Sequence, residues 1–158
     1  MQFKTDSIQG VIIKSLSKYR DQRGWLCELF RQDELSPDFF PVMSYISMTD
    51  AGIVRGPHEH MEQADLFGFL GPSNFKIYLW DNRRNSQTYG NKMIVIAGED
   101  EPKSILIPPG VVHAYKNIGA TAGMVTNYPN RLFGGTGKKE AIDEIRHESD
   151  PKTPYIID

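Results

Sequence analysis

Within Gly52–Asp65, GIVRGPHEHMEQAD, the chain carries Arg55, His58, His60 and Asp65, and Pro108–Asn117, PPGVVHAYKN, adds His113 just past a Pro-Gly turn. On an extended strand an H-x-H pair sends both rings to one face, where they can converge on one point. If Asp65 and His113 join them, three imidazoles and a carboxylate form a donor set suited to Fe, Mn, Ni or Zn with open coordination positions. The same imidazoles could instead take up and release a proton near neutral pH. The Arg55 guanidinium is a fork that matches oxyanions. His147, in the charged segment Arg146–Asp150, reads as structural.

These groups must be held by strands. Gly10–Leu16, Trp25–Phe30, Met43–Thr49, Ala64–Leu70, Phe75–Asp81, Lys92–Ile96, Ser104–Ile107, Val111–Asn117 and Gly123–Tyr128 are short apolar runs separated by turn residues. In Phe75–Asp81, Phe75, Ile77 and Leu79 alternate with Lys76, Tyr78 and Trp80, the strand period of two. Such runs at regular spacing predict an all-β jelly-roll sandwich or barrel spanning residues 1–158 as one domain. Tyr78 and Trp80 are expected to pack outward. Only KKEAIDEIR, Lys138–Arg146, reads as a short C-terminal helix, with Ala141, Ile142 and Ile145 on one side. The tail Asp150–Asp158 is expected to lie extended across the domain.

Composition narrows the function classes. With 158 residues the chain can bury about two-thirds of its unfolded surface and needs neither disulfides nor a structural metal. Eighteen Lys and Arg stand against twenty Asp and Glu, with no basic run interleaved with aromatics, so nucleic acid is not expected as a partner. No stretch reads as a signal peptide or membrane span. The single cysteine, Cys27, fits a cytoplasmic protein and is expected to be a buried strand thiol.

Two motifs resemble those of the cupins: Gly52 with His58-x-His60 and an acid, and Pro108-x-Gly110-x-x-His113-x-x-x-Asn117. Longer phrases resemble the dTDP-4-dehydrorhamnose 3,5-epimerase family, a metal-independent branch of that fold. They are Asp21-Gln22-Arg23-Gly24, Arg55-Gly56-Pro57-His58, the run from Asp81 to Gly90 (DNRRNSQTYG), Ile107–His113 (IPPGVVH) and Asp150-Pro151.

The resemblance implies a double-stranded β-helix cupin barrel, and an isomerase that needs no organic cofactor. Its substrate would be a nucleotide-linked 4-keto-6-deoxy sugar used in dTDP-rhamnose or polysaccharide biosynthesis. His58 would be the general base, Asp150 its partner carboxylate and Tyr128 the acid on the opposite sugar face. Arg23, Arg55, His113 and Arg83 would line or bind the substrate, and the protein would be a homodimer. Two positions depart from the family: His60 stands where it often has glutamine, and Asp65 where it commonly has lysine. They leave two alternatives open, a metal-dependent cupin oxygenase or isomerase using His58, His60, Asp65 and His113 with a divalent transition metal, and a non-catalytic sugar-nucleotide binder.

Overall fold

The alternation read along Phe75–Asp81 is what closes the structure. In the computed structural model, which describes residues 3–158, thirteen strands are found. They are β1 Lys4–Thr5, β2 Ile12–Ser15, β3 Tyr19–Asp21, β4 Gly24–Leu26, β5 Tyr45–Thr49, β6 Val54–Glu59 and β7 Asp65–Phe69. After these come β8 Asn74–Asp81, β9 Asn91–Gly98, β10 Lys103–Ile107, β11 Val111–Asn117, β12 Gly123–Asn127 and β13 Ile145–Arg146. A six-stranded sheet runs β1-β9-β8-β11-β6-β13, a five-stranded sheet runs β2-β10-β7-β12-β5, and β3 pairs with β4 as a separate hairpin. Except for the parallel β1–β9 pair, every ladder is antiparallel. This is the expected cupin jelly roll.

The core lies between the two sheets. Phe75, Ile77 and Leu79 of β8 and Tyr115 of β11 meet Phe67 and Phe69 of β7, Ile105 and Ile107 of β10 and Val125 of β12. On the outer face of the six-stranded sheet, Tyr78 and Trp80 are stacked and fully covered, with Tyr155 of the tail packed on Trp80. The tail is fastened there by the Tyr78 hydroxyl, which donates to Asp158 O at 2.6 Å. The outward packing matches expectation, and the tail lies across the domain as expected, although Asp150–Thr153 is a hydrogen-bonded turn and not extended chain.

Two expectations are corrected. Lys138–Arg146 is not a helix: Thr136–Lys138 forms one 3-10 turn, with Gly137 and Lys138 at positive φ, and the chain then runs extended into β13. A nine-residue helix has little stability of its own, and tertiary bonds win here. The Asp143 carboxylate accepts the N–H groups of Met61, Glu62 and Gln63 at 2.9, 2.8 and 2.9 Å, and Ile145 and Arg146 pair with Glu59 and His58. The segment is a strap beside the β6–β7 turn. Cys27 lies just past β4 and is half-buried.

Candidate functional site

One end of the barrel interior is apolar and the other is polar, because the inward positions of each strand change character along its length. On β7 the inward residues run Phe69, Phe67, Asp65, and on β11 they run Tyr115, His113. On β6 a register shift opposite Ala114 sets His58 against His113 and Arg55 against Tyr115. The extra residue brings Arg55 and His58, three apart, to the same side. Gly56 permits this: its φ is +86°, and a Cβ there would sit 2.6 Å from His113 O.

The rings of His58 and His113 meet edge to face at 4.5 Å, and His60 lies 6.0 and 5.8 Å from them. Ring nitrogens of all three lie within 4.8 Å of one another. His60 Nδ1–H donates to Asp143 O, and its Nε2 is 3.2 Å from Asp65 Oδ2. His113 Nδ1–H donates to Val111 O at 3.1 Å, and its Nε2 faces the same Asp65 oxygen at 3.8 Å with no hydrogen-bond partner. The other oxygen of Asp65 accepts Gln63 Nε2 at 3.0 Å and Asn127 Nδ2 at 2.7 Å. Burial raises the Asp65 pKa, partly offset by His60 and these two donors. It pushes His113 well below the usual histidine value, so that ring is neutral. Burial also lowers His58, against the pull of Glu144.

A cavity of about 410 Å³ opens beside His58, lined among others by Tyr45, Ser47, Arg55, Tyr115, Glu144 and Arg146. An adjoining space of about 570 Å³ is lined by His60, Gln63, Leu132, Phe133 and Lys138, and Tyr45 and Glu144 border both. Arg55 is fixed at the wall by Nε to Thr49 Oγ1 at 2.9 Å and Nη2 to Met48 O at 2.7 Å. The Tyr45 hydroxyl accepts Asn127 Nδ2 at 2.9 Å, and burial pushes its pKa up to about 12.

The expected residues divide. His58 and Arg55 share the cavity, with His60, His113 and Asp65 grouped behind it. Tyr128 stands outside: Asn127 points inward, so by the strand period its neighbour turns away, packing edge-on against Phe30 at 5.0 Å. Asp150 is exposed at the end of the 3-10 turn His147–Ser149 and accepts Lys152 N at 2.9 Å. Arg83 does not line the cavity either. It is clamped by buried Asp81, Nε to Oδ1 and Nη2 to Oδ2 both at 2.8 Å, and by Gln9 O. The serine and threonine of the same phrase, Ser86 and Thr88, also donate to Asp81, so this run closes the β8–β9 turn. Arg23 is exposed on the β3–β4 hairpin, bound to Asp21. His147 is structural as read, against buried Glu59 at 3.2 Å. Two carboxylates, Glu144 and Glu148, and two phenols, Tyr45 and Tyr115, do line the cavity, and of these Glu144 and Tyr45 carry no motif signal. Glu144 lies in the segment whose composition predicts a helix, and Tyr45 shows only as one aromatic in a strand.

An all-β barrel with imidazoles, a guanidinium, a phenol and a carboxylate about one cavity belongs to the cupin class of small-molecule enzymes. The sequence model described as dTDP-4-dehydrorhamnose 3,5-epimerase matches residues 5–132. The chain is 38% identical over 114 residues to the spore coat polysaccharide biosynthesis protein SpsL of Bacillus subtilis, covering 72% of this chain and 74% of that one. It is 35% identical over 128 residues to the Haloferax volcanii protein described as "Probable low-salt glycan biosynthesis epimerase Agl13", covering 80% and 81%. The crystal structure of dTDP-6-deoxy-D-glucose-3,5-epimerase from Legionella pneumophila in complex with dTDP-4-keto-L-rhamnose has the same fold, with TM-score 0.76, 21% identity, and 98% and 84% of the two chains covered. The chain belongs to the dTDP-4-dehydrorhamnose 3,5-epimerase family, whose members are isomerases.

Proposed function

We propose that the chain epimerises a nucleotide-linked 4-keto-6-deoxy sugar by removing a proton from a carbon next to the ketone and returning one from the opposite face. The observation that carries this reading is the placement of His58, a neutral imidazole at the wall of a cavity it shares with Arg55. A C–H beside a ketone becomes acidic enough only when the base is close and charge on the enolate oxygen is stabilised as it develops. His58 takes the proton. The Arg55 guanidinium, tied to Thr49 and Met48, stabilises the enolate or the diphosphate. Glu144, the strongest of the charges that favour protonated His58, stabilises the imidazolium in the role expected of Asp150. Tyr45, whose high pKa keeps it protonated, supplies the proton on the other face in place of Tyr128.

The reaction takes no organic cofactor, and the partner is a nucleotide sugar rather than nucleic acid or membrane. No helix among the described residues is long and apolar enough to cross a membrane. A cytoplasmic homodimer is part of the same reading; Ile46 and Met48, 65% and 55% exposed on the edge strand β5, support a second copy there.

The test is incubation with dTDP-4-keto-6-deoxyglucose in D2O, following deuterium at C3 and C5 by NMR. Exchange at one or both carbons is expected, falling by at least about 100-fold in His58→Asn with an unchanged melting curve. Binding of dTDP with no exchange at any enzyme level would make the chain a sugar-nucleotide binder and end the epimerase reading for this substrate.

A further inference from the structure

Removal of a proton by His58 throws charge onto the ketone oxygen, and the cavity wall must present a donor to it. Among the lining groups, the carboxylates of Glu144 and Glu148 only accept, Arg146 is bound to Glu144, and Tyr45 serves the opposite face. Tyr115 is left without a role. It lies on β11 two residues past His113, paired with Arg55 of β6. Its ring is fixed in the core against Phe67, Phe69 and Phe75 at 5.9, 5.6 and 5.8 Å. Its hydroxyl is 2.9 Å from Ser47 Oγ, another group of the cavity wall. Two protons serve that one bond, so one O–H is left over for the cavity. Burial raises the pKa of the phenol and keeps it protonated, while Ser47, Arg55 and Thr49 pull against that rise.

We infer that Tyr115 is a further catalytic residue, whose hydroxyl donates a hydrogen bond to the enolate oxygen; the inference rests on the proposed epimerisation. The electron pair left by the proton that His58 removes passes to the C4 oxygen. There the phenol proton is drawn toward the charge but stays on Tyr115, and Ser47 turns to donate to the phenol oxygen from behind. When Tyr45 gives its proton to carbon on the other face, the pair returns and the ketone re-forms. His58 and Tyr45 are then reset by exchange with solvent. The phenol suits this task because it is already in place: three aromatic neighbours hold its ring on an interior strand of the six-stranded sheet, so nothing reorganises as charge develops. Beside an apolar core a neutral hydroxyl is also a stronger donor than in water. Arg55, its partner across the ladder, adds a positive charge on the same side.

The test is Tyr115→Phe, which removes one oxygen and keeps the ring, compared with wild type on saturating dTDP-4-keto-6-deoxyglucose in D2O. Deuterium at C3 and C5 and the configuration of the product are read by NMR, dTDP affinity by calorimetry and folding by a melting curve. Exchange and inversion should fall together by about 100–1,000-fold, with dTDP affinity unchanged. A folded Tyr115→Phe variant with the wild-type rate overturns the assignment. So does one that still exchanges but no longer inverts, because Tyr115 would then be the acid of the opposite face. A loss confined to dTDP affinity overturns it as well, because the hydroxyl would then hold the nucleotide. Ser47→Ala keeps the phenol and removes its support, and exchange should fall about 3–10-fold. An unchanged rate in Ser47→Ala overturns the supported donor even where Tyr115→Phe fails to fold. Wild-type protein with no exchange on this sugar sinks the epimerase reading and the role of Tyr115 with it, whereas wild-type exchange that survives Tyr115→Phe sinks only the latter.

Discussion

Asp81 shows how one side chain can hold a motif together without touching substrate. It is fully buried and receives Arg83, Ser86 and Thr88 at 2.6–2.8 Å. Burial alone would raise its pKa, but these bonds together bring it down to about 2. A carboxylate whose pKa is lower folded than unfolded contributes stability that is present above its ordinary value and lost as the pH falls through the folded one. Asp81 should therefore contribute on the order of 2 kcal/mol at neutral pH, lost between about pH 4 and pH 2. Acid denaturation of Asp81→Asn, followed by circular dichroism, should lack that part of the pH slope, and the variant should be less stable at pH 7 by about 2–4 kcal/mol. Residue types were legible here, since the spacing D-x-R-x-x-S-x-T drew attention to the right groups, but their role was not. Spacing does not say whether an arginine turns toward a ligand or toward its own aspartate.

Among the elements, the strands were readable because alternation is local, and the strap was not because its bonds are long-range. KKEAIDEIR has the composition of a helix, yet Asp143 closes the β6–β7 turn some eighty residues earlier in the chain. Asp143→Ala should lower the unfolding free energy by about 2–4 kcal/mol in urea titrations. It should also reduce exchange activity, because the carbonyl that orients His60 and the Glu144 carboxylate ride on the same strap. The bulge on β6 was equally hidden. H-x-H predicted correctly that His58 and His60 share a face, while bringing Arg55 there as well needs the extra residue at Gly56–Pro57. A methyl group at Gly56 would meet His113 O, so Gly56→Ala should cost about 1–3 kcal/mol and lower activity further by moving Arg55 relative to His58.

At the scale of the whole molecule, the jelly roll was legible from the count and spacing of strands, as was the tail that covers Trp80. Tyr155, 6% exposed, closes that outer face. Tyr155→Ala should destabilise the protein by about 3 kcal/mol, measured by thermal melting, with the site at the other face of the sheet retaining its exchange chemistry. The strap and the barrel are differently vulnerable. Lys138 and Lys139 lie exposed beyond a glycine-rich turn, with Lys138 at φ +58°. A single tryptic nick there would leave every ladder of the two large sheets unbroken within its own fragment or held by its neighbours. It would nevertheless free the near end of the segment that carries Asp143 and Glu144. Catalytic competence would then be lost ahead of global unfolding, and a protease used in trace amounts would report on the integrity of the site before any spectroscopic signal of the barrel had changed.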